Sequence, residues 1–484
     1  MALKESCTDM RKNSKLVVIS IPLTRIARSS LSNAVLDPLR QEGDVLIVSP
    51  FSDEPGFQKD FAGPNTHFLQ WNPEGVSKLK ALFLAVPEMM RRLGYWRRFR
   101  NNGLLYYVKN QYVSFGDEGQ DKRFGPLRWL IYWLLSFWGQ FPKAWQFVEK
   151  FYGKSWYAFP ELTQFVREYK HVTLIQSANW GMQDRALARL SRQQTWRKVL
   201  LPYTTDQLFT NGFLLNDFDA VCVQGPFELT QAREFHHVTE DKIYKLGSAW
   251  FRQMEYIKSL NSSSKAVLGK SRKIIYAGVS STYFPSKSEL QAVDALVEYI
   301  RKRGVQNGCQ YELLYRPVIF NDALKDVVKK RYERHDIVKL QWPAPSAIGL
   351  NQYAYMDQEN SLREYVSGIA DCELLIMSYL TSFCKDVAFL ESCGVISNMI
   401  DSDGILARRH NDLFPTYMLP GVKLIHSIEE LLEAVEYFLG NPQQAAQNAQ
   451  GIISMWDYPA HDFSRILKDA VYQNVGLQHT SVAA

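Results

Sequence analysis

A chain of 484 residues with 46% hydrophobic and 22% charged side chains is globular in composition and too long for one ordinary core, so two domains are the default. Six cysteines (Cys7, Cys222, Cys309, Cys372, Cys384, Cys393) are scattered without a CxxC pair, which argues against a disulfide frame or zinc site and fits a reducing cytoplasm. The net charge of +6 is mild, and it is unevenly spread. The N-terminal MALKESCTDMRKNSK lacks the apolar core of a secretory signal, and the longest apolar stretch, Trp129 to Trp138, is far short of the ~20 residues a spanning helix needs.

In chain order, Lys15 to Ile21 is the first strand, followed by Pro22 and a helix through Leu36. Asp44 to Ser49 and Thr66 to Trp71 are the next strands. Strands alternating with helices predict a parallel, doubly wound sheet. From Lys78 to Phe159 the alternation breaks into an insertion crowded with aromatic and basic residues. Arg91, Arg92, Arg97 and Arg98 stand beside Trp96, with Trp129 and Trp133 further on. Such a mixture suits a lipid headgroup layer or a lipid-linked acceptor, since cations meet anionic lipid while rings sit at the apolar boundary. It equally suits a helical core with a solvated basic face, and less well a nucleic acid, for which no fold signature accompanies the charge.

The strand rhythm resumes at Val172–Gln176, Lys198–Tyr203, Asp219–Val223 and Lys242–Leu246. Phe251 to Lys270 is polar enough to read as a linker. A second set then begins with Lys273–Ala277, running into Gly278, Ser280 and Ser281, a phosphate-facing loop in outline but not GxGxxG. After the helix Lys287–Lys302, the strand Tyr311–Tyr315 ends in Arg316-Pro317. A guanidinium there could clamp a diphosphate or pair with a surface acid. Ile337–Trp342 reads as a strand and Ser361–Ile369 as a helix.

The stretch Cys372 to Asp401 carries the most information. An apolar strand leads to a turn with Ser378, Thr381 and Ser382, then a helix from Phe383 stopped by Gly394, then a strand from Val395. Hydroxyls and free N–H groups at a helix N-terminus either hold a phosphate or merely cap the helix. Ser427 to Leu439 is amphipathic with a Ser-x-x-Glu capping box, and a last helix near Asp462–Gln473 ends the ordered chain.

Strand, Ser/Thr turn, acid-bearing helix, Gly and strand resembles the donor half of GT-B glycosyltransferases and of the related CDP-glycerol glycerophosphotransferases and UDP-GlcNAc 2-epimerases. In the first half the succession Asp219, Gly225, Glu228, Ile243 and Gly247 is similar to the segment that closes the first domain in those families. The resemblance implies two Rossmann-like doubly wound α/β domains facing across a cleft: 1–255 as acceptor domain with the insertion at about 78–159, and 256–454 as nucleotide-sugar donor domain. Residues 455–484 are expected to cross back to the first domain. It implies donor contacts from Gly278, Ser280, Ser281, Arg316, Ser378, Thr381 and Ser382, with Asp386 or Glu391 as the downstream carboxylate. An "R-P-H-P"-like sequence is common in the family, but Val318 and Ile319 follow Arg316-Pro317 here, which weighs against chemistry needing that histidine.

Transfer needs a stabilised leaving diphosphate and, for inversion, a base. Asp206, after a strand that should end at the cleft, is the first candidate for the base; His236 and His237 are weaker. No DxD motif stands at a strand end, so neither metal nor other cofactor is expected. The implied activity is transfer of a sugar from a nucleotide-sugar donor to a membrane-proximal glycan or lipid-linked acceptor in surface-polysaccharide assembly. The implied location is the cytoplasm, peripheral on the inner membrane face. An epimerase-like or glycerophosphotransferase-like enzyme, or a silent nucleotide-sugar or lipid-binding scaffold, are the alternatives.

Overall fold

The computed structural model describes residues 15–71, 78–99, 126–152, 159–177, 182–204, 207–210, 212–215, 217–262, 272–279, 286–307, 311–318, 322–342, 358–378, 381–400, 420–458 and 462–473. The first unit opens with β1 (Lys15–Ser20), α1 (Thr24–Ser30), α2 (Asn33–Glu42), β2 (Asp44–Ser49), α3 (Pro55–Phe61) and β3 (Thr66–Gln70). The insertion follows as α4 (Lys78–Phe99), α5 (Pro126–Gly139) and α6 (Pro142–Tyr152). The unit then continues through α7 (Pro160–Val166), β4 (His171–Gln176), α8 (Met182–Gln193), β5 (Arg197–Leu200), α9 (Gln207–Thr210), β6 (Ala220–Val223), α10 (Pro226–Glu234) and β7 (Ile243–Lys245).

The second unit comprises α11 (Ala249–Ser262), β8 (Arg272–Ala277), α12 (Ser286–Asn307), β9 (Tyr311–Arg316), α13 (Asp322–Tyr332), β10 (Val338–Leu340) and α14 (Gln358–Ile369). After these come β11 (Cys372–Ser378), α15 (Phe383–Glu391), β12 (Gly394–Asn398), β13 (Val422–Ile425), α16 (Ile428–Gly440) and α17 (Pro442–Trp456). A final helix, α18 (Phe463–Tyr472), returns to the first unit.

Both sheets are parallel, with strand orders β3-β2-β1-β4-β5-β6-β7 and β10-β9-β8-β11-β12-β13. The period-2 alternation of β1 shows why. Val17 and Ile19 join one buried cluster, and Leu16 and Val18 another on the opposite face. Ile274 and Tyr276 of β8 are likewise separated from Ile275 and Ala277. Strands buried on both faces need helices on both sides, which is the doubly wound arrangement the segment order predicts.

Three expectations change. The segment from Phe251, read as a polar linker, begins inside a helix, and α11 runs through the boundary placed at residue 255. Phe251, Met254 and Ile257 recur every third residue and pack under the second sheet, a stripe diluted in sequence by polar neighbours. The helix after β1 is broken into α1 and α2 at Leu31–Ser32. Gly394 does not stop α15; Ser392 does, in the left-handed conformation at φ 50°, while Gly394 lies flat against the Phe438 ring. The Ser427 box forms with a shift: Ser427 accepts the Glu430 N–H, and the Glu430 carboxylate takes the N–H of His426.

The insertion is a packed helical layer. Met90, Leu93, Tyr95, Tyr132 and Trp145 form its core with Phe213 of the first unit. Two glycines set the crossing of α4 and α5: a Cβ on Gly94 would lie 1.9 Å from the Gly139 carbonyl carbon, and one on Gly139 would lie 1.9 Å from the Met90 oxygen. Gly94→Ala should therefore force the helices apart and cost about 1–3 kcal/mol, the usual range for overpacking. Chemical unfolding followed through the insertion's tryptophans checks this; an unchanged midpoint would contradict the close crossing.

Candidate functional site

Open parallel sheets present ligands at the C-terminal ends of their strands. In the four central strands of the second sheet those ends are Ala277, Arg316, Ser378 and Asn398. Arg316 projects from β9 over the ring of Phe383, the first residue of α15, with its guanidinium carbon 4.4 Å from the ring centroid and 5.4 Å from that of Tyr365. Its Nη1 is buried with no hydrogen-bond partner among the described residues. Burial pulls its pKa down, opposed by Tyr365 and Asp386 nearby, yet a guanidinium this basic keeps its charge. A held cation with an unused donor therefore stands beside a helix N-terminus.

That terminus is uncapped. Ser382 occupies the N-cap position with helical dihedrals, makes no side-chain cap bond and is exposed. Thr381 Oγ1 reaches only the Met377 sulfur, at 3.7 Å. The Cys384 N–H is taken by the Thr381 carbonyl at 3.2 Å, and the positive end of the helix dipole lies beside Arg316, a setting that stabilises an anion.

Ser378 is different. It continues the face of β11 that carries Leu374 and Ile376, so it points under the turn and is fully buried. Asn398 Nδ2 donates to the Tyr276 hydroxyl at 3.0 Å, Tyr276 and Ser378 bond at 2.8 Å, and Ser378 in turn bonds Glu289. Glu289 Oε1 also accepts from Tyr315 at 2.6 Å, and Oε2 from the Val279 N–H at 3.4 Å. Burial raises the Glu289 pKa against these neutral donors. A Cβ on Gly278 would sit 2.5 Å from Glu289 Oε1, so glycine is required there by the carboxyl beneath it. Gly278 and Ser378, expected as donor contacts, sit on this buried polar cluster, with the Ser378 hydroxyl turned away from solvent. Ser280 and Ser281 lie outside the described residues.

Asp386 sits one turn into α15, buried, accepting from Trp250 Nε1 at 3.0 Å and from the Tyr365 hydroxyl at 2.6 Å. Burial raises its pKa, with Lys385, these donors and Arg316 pulling the other way. Arg28 on α1 is close enough to Tyr365 to act on it electrostatically, and α1 packs against α11. Residues of both units therefore meet beside Tyr365 and Asp386. Glu391 is at the wrong end: it pairs with Lys258 at 3.4 Å and takes the Asp371 N–H at 3.2 Å, at the edge where β11 begins.

On the first unit, Asp206 lies outside the described residues. His236 is half-buried, donates from Nε2 to the Leu208 carbonyl at 2.6 Å and stacks on Tyr95; desolvation drives its pKa down to about 4. It packs as a neutral ring against Tyr95 of the insertion. Asp219 ties β5 to β6 through the Lys198 N–H, and Glu228 accepts the Gln224 N–H at the turn containing Gly225. Sequence reasoning passed over Asp184, buried at the start of α8 and accepting from Ser20 Oγ at 2.6 Å, and over Glu289. A signal existed for each: an acid just after a strand, and the Ser286-x-x-Glu289 box pattern.

In the insertion, Arg91 is fully buried, holds Glu88 through Nε at 3.0 Å and Nη2 at 2.7 Å, and donates to the Phe213 carbonyl. Arg92 shares Glu88 at 3.6 Å. Burial raises the Glu88 pKa, but Arg91 and Arg92 outweigh it and the net shift is downward. These two arginines neutralise the acid, and Arg91 ties α4 to Phe213. Arg97 stacks on Trp133, which is exposed, and Arg98 is exposed. The side chains of Trp96 and Trp129 lie outside the described set.

The chain crosses between units twice, and one carboxylate ties the crossings. Asp457 accepts the Ser248 N–H at 2.6 Å and pairs with Arg252, while a Cβ on Gly225 would lie 2.5 Å from the Trp456 carbonyl carbon. Burial pushes Asp457 up to about 6, against the pull of Ser248 and Arg252. A folded-state pKa above the unfolded value means that the ionised form opposes folding, so stability is gained as pH falls through 6. Relative to Asp457→Asn, the wild type should gain about 1 kcal/mol between pH 7 and pH 5. Paired melting curves read the difference; a gap that does not move with pH would place the titration elsewhere.

No family model and no curated protein matches this chain. Solved structures do. A protein from Listeria monocytogenes assigned provisionally as a UDP-N-acetylglucosamine 2-epimerase superposes with a TM-score of 0.52 at 12% identity, covering 94% of this chain and 95% of that one. Another UDP-N-acetylglucosamine 2-epimerase structure gives 0.50 at 10% identity, with 95% of each chain covered. The likeness spans both units, and together with the two parallel sheets it establishes the GT-B fold.

Proposed function

We propose that this protein is a nucleotide-sugar glycosyltransferase that acts on a glycan or lipid-linked acceptor held at a membrane, in surface-polysaccharide assembly. The carrying observation is Arg316, a half-buried guanidinium whose Nη1 has no partner among the described residues, fixed beside the N-terminus of α15, which has no side-chain cap. A nucleoside diphosphate leaving group matches both: two phosphate oxygens for the guanidinium fork, the remaining charge for the positive end of the α15 dipole. Ser382 and Thr381 sit at the rim of that site. Arg316 and the helix dipole supply the charge that a metal ion would otherwise bring, so the reaction is written without one. Asp206 is assigned as the base that deprotonates the acceptor hydroxyl.

Within the same fold, a UDP-sugar 2-epimerase would use the same diphosphate site without an acceptor. Incubation with nucleotide sugars, with and without a membrane extract, separates the two. Transfer releases nucleoside diphosphate only when acceptor is present and leaves sugar on the extract. An isomerised sugar nucleotide formed without extract would establish epimerisation and overturn transfer.

A further inference from the structure

The insertion carries a solvent-facing apolar stripe that the donor cleft does not use. α5 turns Tyr132, Leu135 and Ser136 toward α4 and α6. On its other side Leu130, Trp133, Leu134, Phe137, Trp138 and Phe141 are 39–56% exposed, at the spacing of a single helical face. Eight of the eleven large apolar side chains exposed among the described residues belong to α5, α6 and the turn joining them, so this is one surface and not scatter.

Cations frame it. The segments of α4, α5 and α6 hold nine Lys and Arg against two acids, and one of those acids, Glu88, is consumed by Arg91 and Arg92. Arg97 lies 4.9 Å over the Trp133 ring and 5.4 Å over Phe137, with Nη1 3.1 Å from Ser136 Oγ, so a guanidinium is built into the stripe itself. Lys143 is exposed where α6 begins. No helix among the described residues is long and apolar enough to cross a bilayer.

We infer that this face is the docking surface for an anionic lipid bilayer. α5 lies in the headgroup plane, its indole and phenyl rings at the acyl boundary, with Arg97 and Lys143 toward lipid phosphate. A second copy of the chain would bring the same cations to the same face, whereas an anionic headgroup layer is complementary to it. The inference names the surface that presents the acceptor in the reading above and rests on it for that role alone; the docking is independent of the donor cleft.

The test is cosedimentation of the full chain with vesicles of equal parts phosphatidylglycerol and phosphatidylcholine, and with pure phosphatidylcholine. Wild type should bind the anionic vesicles, at least about tenfold more weakly in high salt. Trp138→Ser combined with Phe141→Ser should lower binding by at least about tenfold while the nucleotide-induced thermal shift is kept. Lys143→Glu, which changes no packed residue, should weaken binding in the same direction. Absence of wild-type binding, or equal binding by the double variant, overturns the inference and leaves the donor reading standing. A wild-type dimer in light scattering that the double variant splits also overturns it, in favour of a second copy. Loss of the nucleotide shift in wild type, with vesicle binding intact, would instead sink the donor reading.

Discussion

Arg316→Ala is expected to weaken binding of the matching nucleoside diphosphate by about 10- to 100-fold, the loss typical of a charge-assisted hydrogen bond to an ionised group. The reason is the way the side chain is held. Phe383 and Tyr365 fix the guanidinium plane by stacking, and no described side chain competes for Nη1. Arg316→Lys should recover little, because an ammonium neither stacks as a plane nor reaches two oxygens at once. Titration calorimetry reads both. Since removing the charge also relieves a buried cation, the melting temperature should hold or rise, so a large fall in stability would mean that Arg316 is structural.

The largest stability effect is expected at Asp386. Asp386→Ala leaves the Trp250 N–H and the Tyr365 hydroxyl without their acceptor in a buried site, for a loss of about 2–5 kcal/mol. Asp386→Asn keeps one acceptor oxygen and should cost less. Tyr365→Phe keeps the ring beneath Arg316 and removes one bond, for about 1 kcal/mol. Because Trp250 belongs to the helix that links the two units, its fluorescence should report the Asp386→Ala change directly. Equal stability of Asp386→Ala and wild type would show that the buried carboxylate does not tie the linker helix to α15.

Legibility in the sequence followed how local each signal was. The strands of both sheets were readable because parallel strands buried on both faces appear as short unbroken apolar runs, such as Leu374 to Met377. The α11 stripe was hidden because polar residues such as Arg252, Gln253 and Glu255 separate Phe251, Met254 and Ile257. At the site, Arg316 and the turn before α15 were legible as a basic residue and hydroxyls at strand ends. Which hydroxyl faces out was not: Ser378 and Ser382 look alike in sequence, but the pleat of β11 turns Ser378 inward while Ser382 stands exposed at the N-cap of α15. Glu391 was misplaced for a related reason, since nine residues of helix separate a ligand-facing end from the opposite edge of the sheet. That Arg91 is buried while Arg98 is exposed depends on where Glu88 and Phe213 lie, and Phe213 is far away in the chain.

The central claim is a diphosphate site made by Arg316 and the N-terminus of α15. A thermal-shift panel of UDP, GDP, CDP, ADP, TDP and CMP, run on wild type and on the Arg316→Ala, Ser382→Ala double variant, tests it most directly. A selective rise for one diphosphate, absent with CMP and lost in the double variant, is the predicted result, and it names the base of the donor. No shift with any nucleotide, or a shift that survives in the double variant, would contradict the site.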